Sequence, residues 1–193
     1  LEGDDGGNHF ALLHAVLLYG APSVDEVLRL VAARASSSPP GSWITGRGWD
    51  QNLWSAKEFP TAAMLDRVAP DHPVALIRVD GHAIWVNSRA MEIAGVSAAT
   101  PAPSGGKILR DRAGTPTGIF IEDNARELIE SHIPEPTAEE IEANLLAAAG
   151  ECVRAGLTEV ADMGLDSQQI AIYEKLADEN RLPLRIYGAI SVP

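Results

Sequence analysis

Apolar and polar positions alternate along the chain with a period that changes from region to region. Residues 1–9 are rich in Gly and Asp, and an apolar run follows from Phe10 to Tyr19. That pattern reads as a loop leading into a partly buried segment. Ser23-Val-Asp-Glu26 has the Ser-x-x-Glu spacing of a capping box, and Val24, Val27, Leu28 and Val31 recur behind it at helical spacing. The cluster Ser36-Ser-Ser-Pro-Pro-Gly41 breaks the helix. Trp43-Ile-Thr45 reads as a short strand and Gly46 to Trp54 as a Gly-rich loop. Thr61 caps a helix that runs to Val68 and stops at Pro70, and Asp71-His-Pro73 makes a turn.

Two hairpins follow. Val74, Leu76, Ile77 and Val79 precede Asp80-Gly81, and Ile84, Trp85 and Val86 succeed it. An Asp-Gly pair between β-formers predicts a type I′ turn with φ > 0 at both central residues. Such a turn places Asp80 and His82 side by side at the tip. Asn87-Ser88 then offers an N-cap for a short helix, Arg89 to Ala94, with Gly95 behind it. Lys107 to Asp111 and Gly118 to Ile121 form the second hairpin, joined through Ala113-Gly-Thr-Pro. A helix from Glu122 to His132 is closed by Pro134 and Pro136.

From Thr137 the pattern changes. Thr137-Ala-Glu-Glu140 is a second capping box, and Ile141, Leu145, Ala149, Cys152 and Val153 line one apolar face up to Gly156. Leu157 to Ala161 is a strand closed by Asp162-Met-Gly164, a helix carries Ile170, Tyr173, Leu176 and Ala177, and Leu184 to Val192 is a last strand. Helix, strand, helix, strand at these lengths implies parallel pairing through crossovers. The predicted fold class is therefore α/β. A hairpin-rich α+β insert (residues 50–121) is carried on α/β segments at 1–49 and 122–193.

Three stretches carry a resemblance. Gly46-Arg-Gly-Trp-Asp-Gln51, Val79-Asp-Gly-His-Ala-Ile-Trp-Val-Asn-Ser88 and Gly156-Leu-Thr-Glu-Val-Ala-Asp-Met-Gly164 resemble, in family order, segments of amidohydrolase family 3. The resemblance implies partial TIM-barrel βα units on either side of the family's small inserted domain. It implies hydrolysis of C–N bonds in amides, formamides or related small molecules. In that chemistry one or two divalent, zinc-like metal ions activate water, held by histidines and a carboxylate. Asp5-Gly-Gly-Asn-His9 compares with the family's Asp-x-His-x-His motif, but only His9 matches, and the paired N-terminal histidines are missing. His9 and His14 are five apart, a poor spacing for one helical face. The family often has His where this chain has Ala161. No metal is therefore expected on this chain itself, and the ligands belong to the parent enzyme.

Composition narrows the rest. The net charge is −12, from 27 acidic and 15 basic residues, and this argues against a nucleic-acid partner. No apolar run reaches membrane-spanning length. The single cysteine excludes an internal disulfide and a Cys-based zinc cluster, and fits a reducing cytoplasm. Cys152 reads as a small core residue. The polar start without Met reads as a fragment or a processed product.

Five residues stand as candidate substrate contacts. His82, with Asp80, leans over a barrel mouth, or else is a solvated turn neighbour. Arg47 and Trp49, with Asp50 beside them, sit near the substrate, or else pack a domain seam. Asp162 lies at a strand end, where barrel enzymes place their reacting groups, or else caps the next helix. His72 is a turn residue and Asn87 a cap or hairpin anchor. The leading function is a portion of a metal-dependent amidohydrolase, inactive alone and prone to self-association through unpaired strand edges. The alternatives are a complete non-catalytic α/β module that binds a ligand or partner, and an acid/base enzyme using Asp80 and His82.

Overall fold

The structure, a computed structural model, describes residues 15–190. His9, His14 and the chain's last three residues lie outside the described residues, and with them the comparison of His9 to a metal ligand. Two compact units are present, residues 15–134 and residues 135–190.

The first unit is built on a six-stranded mixed sheet. Its strands are β1 (Val16–Leu17), β2 (Ile44–Trp49), β3 (Val74–Arg78), β4 (Ala83–Val86), β5 (Lys107–Arg110) and β6 (Pro116–Ile121), in spatial order β1-β2-β3-β4-β6-β5. The first three are parallel and the remaining pairings antiparallel. Four helices accompany it: α1 (Val24–Ser37), α2 (Ala62–Asp66), α3 (Ser88–Ile93) and α4 (Asp123–Glu130). The period-2 alternation of the strands sorts the core into two layers. Leu76, Trp85 and Ile119 join Val27, Val31 and Leu65 on one face; Ala75, Ile84, Val86 and Phe120 join Ala90, Ala125 and Ile129 on the other. Covering on both faces explains why β3 and β4 read as continuous apolar runs.

Both hairpins form, but the first turn differs from expectation. The first paired residues are Ile77 and Ile84, so six residues bridge the strands instead of two. The turn closes from Gly81 N to Arg78 O at 3.0 Å, and only Gly81 of the Asp-Gly pair takes positive φ, at +81°. Asp80 has a competing use: its Oδ1 accepts from His82 N at 3.2 Å and its Oδ2 pairs with Arg78 at 3.1 Å. The second correction is at Gly46 to Trp49, which is strand and not loop. Ile44 to Arg47 pair in register with Val74 to Ile77. A Cβ on Gly46 would come within 2.8 Å of both Leu76 and the Val16 carbonyl, so the glycine content reflects close strand approach. This pairing draws β1 and β2 into the sheet of the hairpins, and the compact unit extends beyond 50–121 on both sides.

The second unit contains α5 (Ala138–Arg154), β7 (Glu159–Leu165), α6 (Ser167–Asp178) and β8 (Arg185–Ile190), with β7 and β8 parallel as expected. The Thr137/Glu140 capping box closes in both directions. Ile141 and Leu145 of α5 pack on Ile172 and Leu176 of α6. The strand β7 runs through Asp162-Met163-Gly164 instead of ending there, carried by a register shift between Met163 and Leu165. Asp166, not Asp162, caps α6, accepting from Gln169 N at 2.8 Å.

Candidate functional site

Polar side chains collect on one rim of the six-stranded sheet. The parallel strands β2 and β3 end there, at Trp49 and Arg78, and the antiparallel pairing makes β4 begin and β6 end at the same rim. Ala83 pairs with Ile121, so the residues just outside that pair, His82 and Glu122, meet. Glu122 N donates to the His82 carbonyl at 2.7 Å, and His82 Nδ1 lies 3.2 Å from Glu122 Oε2. The imidazole is 65% exposed. Its carboxylate partner is thus Glu122, whereas Asp80 binds the His82 backbone amide and the Arg78 guanidinium. Arg126 on α4 ties the tip down by donating to the Gly81 carbonyl, and it also pairs with Glu130 at 2.8 Å and Asp123 at 3.2 Å.

A carboxylate on Nδ1 favours the tautomer protonated at that nitrogen and leaves Nε2 as an acceptor on an exposed ring. When the ring is protonated, Nε2 becomes a donor instead. The tip can therefore exchange a hydrogen bond, or a proton, with a polar group of a small molecule.

The other expected contacts sit differently. Trp49 is fully buried; its Nε1 donates to the Leu76 carbonyl at 2.7 Å, and its ring lies 6.1 Å from those of Trp54 and Trp85. Arg47 is half-buried in β2, opposite Ile77. Asp50 accepts from Asn52 N at 2.9 Å and caps a short 3-10 turn, residues 51–53. His72 is buried and its Nδ1 contacts the Ser42 carbonyl at 2.9 Å, so it anchors a loop as well as making a turn. In the second unit, Asp162 Oδ2 accepts from Tyr173 OH at 3.0 Å on the helix-facing side of β7. Burial, and then the Asp162 charge beside it, pushes the Tyr173 phenol above its ordinary value of 10.0. Among the described residues, no group of three or more His, Cys, Asp or Glu could hold a metal ion.

Sequence reasoning did not find Glu122 or Arg126. His82 and Glu122 are forty residues apart. The signal that would have found them is the pairing of the first hairpin's second strand with the second hairpin's second strand.

The amidohydrolase family profile matches residues 7–192. The chain belongs to the amidohydrolase family. Among curated relatives, YtcJ of Bacillus subtilis (strain 168) is 36% identical over 170 residues, covering 86% of this chain and 32% of that protein. N-substituted formamide deformylase of Arthrobacter pascens is 32% identical over 168 residues, covering 85% of this chain and 31% of that protein. The chain thus spans about a third of the length of these relatives. An uncharacterized metal-dependent hydrolase from Pyrococcus horikoshii OT3 has the same fold over 94% of this chain and 34% of its own, with a TM-score of 0.63 at 24% identity. This amidohydrolase-family chain is a mixed α/β structure, and no described helix is long and apolar enough to cross a membrane.

Proposed function

We propose that these residues are a portion of a hydrolase that cleaves C–N bonds in small, non-peptide amides or formamides. The single observation that carries the reading is the family match across residues 7–192. The formamide substrate named for the Arthrobacter pascens relative supports the bond class. In the longer protein a divalent, zinc-like metal would supply activated water. On this reading the described residues contribute binding and orientation of the substrate. His82 is the residue of this chain that meets the substrate, through Nε2, with the Asp80 loop holding its backbone. Arg47 supports the same rim from β2. Trp49 acts through packing and Asp162 through Tyr173.

The β7–α6–β8 unit is read as part of a TIM barrel and the hairpin unit as containing the inserted domain. Exposed Met163 and Tyr187, with the strand edges of β7 and β8, favour self-association of the isolated chain. The lone Cys152 suits a reducing compartment such as the cytoplasm.

The test compares the 193-residue chain with the product of the reading frame that contains it. Both are purified and assayed on N-substituted formamides and simple amides, with and without chelator. Chelator-sensitive turnover by the longer protein, with none from the short chain, is the expected result. One tightly held equivalent of zinc on the short chain, with chelator-sensitive turnover, would overturn the division of labour and turn attention to His9.

A further inference from the structure

We infer that Glu122 is a positioning residue whose strained backbone is retained because its carboxylate fixes the His82 ring, with Nδ1 protonated and Nε2 turned outward. This rests on the reading of His82 as the substrate-facing residue. The observation behind it is conformational. Glu122 sits at φ +68°, ψ 156°, a region that is essentially glycine's alone. Its neighbours require that conformation: Glu122 N donates to the His82 carbonyl at 2.7 Å, while the Glu122 carbonyl accepts from Ala125 N and Arg126 N, each at 3.0 Å, to open α4.

Neither the backbone nor the helix end calls for Glu here. Glycine would remove the strain. The Glu122 side chain makes no cap hydrogen bond, so helix capping does not account for it either. Among the described residues, the side chain of Glu122 interacts with His82 Nδ1 alone, at 3.2 Å. That pair is exposed on both sides, 65% and 51%, and exposed ion pairs return less stability than strain of this kind costs. Stability alone therefore does not account for Glu at this position, whereas orientation of the imidazole does. The two supports on either side, Asp80 Oδ1 on His82 N and Arg126 on the Gly81 carbonyl, fix the backbone from which the ring projects. They leave its rotation and tautomer to Glu122.

The experiment uses the 193-residue chain, labelled with 15N-histidine, with the His82 signal assigned by His82→Ala. Nitrogen chemical shifts report the tautomer, and tryptophan fluorescence reports the melt. Glu122→Gly should melt at the same temperature as the parent sequence or higher, and should lose the Nδ1–H signature. Glu122→Ala should lose that signature and melt below Glu122→Gly, because it keeps the strain. Glu122→Gln, whose amide oxygen still accepts, should retain the signature. An unchanged His82 signature in Glu122→Gly, or a melting temperature below that of the parent sequence, would overturn the inference. In the longer protein, a lost signature with unaltered turnover would support the positioning and overturn the role of His82 in the reaction, so the two claims fail separately.

Discussion

Asn87 is the position where a single amide holds the most structure. Its side chain is fully buried. Oδ1 accepts from Val74 N and from Ala90 N, each at 3.0 Å, so it starts β3 and caps α3 together. Nδ2 donates to the carbonyls of His72 at 2.8 Å and Ala69 at 3.3 Å, fixing the turn between α2 and β3. Asn87→Ala removes all four bonds. Loss of the cap costs about 1 kcal/mol. The Val74 N–H, buried without this acceptor, costs about 1–3 kcal/mol. The two carbonyls add less, since buried C=O groups tolerate partial satisfaction better, and the Ala69 carbonyl still accepts from His72 N at 3.4 Å. The sum is about 3–4 kcal/mol, which for a unit of this size is a fall in Tm of about 10–15 °C. Asn87→Asp keeps the acceptor but buries a charge facing two carbonyls, and should be at least as costly. Urea unfolding followed by tryptophan fluorescence isolates this effect, because all four tryptophans, Trp43, Trp49, Trp54 and Trp85, lie in the 15–134 unit. A lower midpoint with an unchanged m-value is expected. A loss below about 1 kcal/mol for Asn87→Ala would refute the reasoning, since it is smaller than one unsatisfied buried donor.

Two further predictions concern the two units separately. Gly118 has φ +97°, and a Cβ there would lie 2.5 Å from the Val86 carbonyl, so Gly118→Ala should prevent β6 from closing on β4 and lower the unfolding free energy read by fluorescence by more than about 2 kcal/mol. A midpoint within experimental error of the parent sequence would contradict that geometry. In the second unit the Tyr173 phenol is held above its ordinary value of 10.0 in the folded state, so the folded form binds this proton more tightly than the unfolded form. Its contribution is complete below that ordinary value and is lost as pH rises beyond it. Tyr173→Phe should flatten the alkaline limb of a circular-dichroism melt, and an unaltered limb would count against the Asp162–Tyr173 contact.

What could be read from sequence was local. The capping box at Thr137/Glu140, the helix of Val24 to Val31 and both hairpins depend on residues within a few positions of each other, and the structure keeps them. The Ser23 box closes only halfway, because Glu26 turns to Arg29 at 2.7 Å instead of back to the cap. Misreadings arose where long-range pairing overrides composition. Gly46 to Trp49 carries the glycines of a loop but pairs as a strand between β1 and β3, and Trp49 packs inward against Trp54 and Trp85. Asp162 stands before a Met-Gly pair that resembles a turn, yet β7 absorbs it by shifting register. At the candidate site, the place of His82 at a hairpin tip was legible from local pattern, while its contact with Glu122 depends on strand order, which no local pattern carries.

The central claim is that the hairpin tip of this amidohydrolase-family chain meets the substrate of the longer protein through His82. The direct measurement is kcat/KM of that longer protein with His82→Ala, on whichever amide or formamide it hydrolyses, beside a fluorescence melt. An imidazole that exchanges a hydrogen bond with the substrate predicts a loss of about 10- to 100-fold. The exposed position of the ring predicts a melting temperature within about 2 °C of the parent sequence. An unchanged kcat/KM, or a loss of activity that only follows a loss of melting temperature, would contradict the claim.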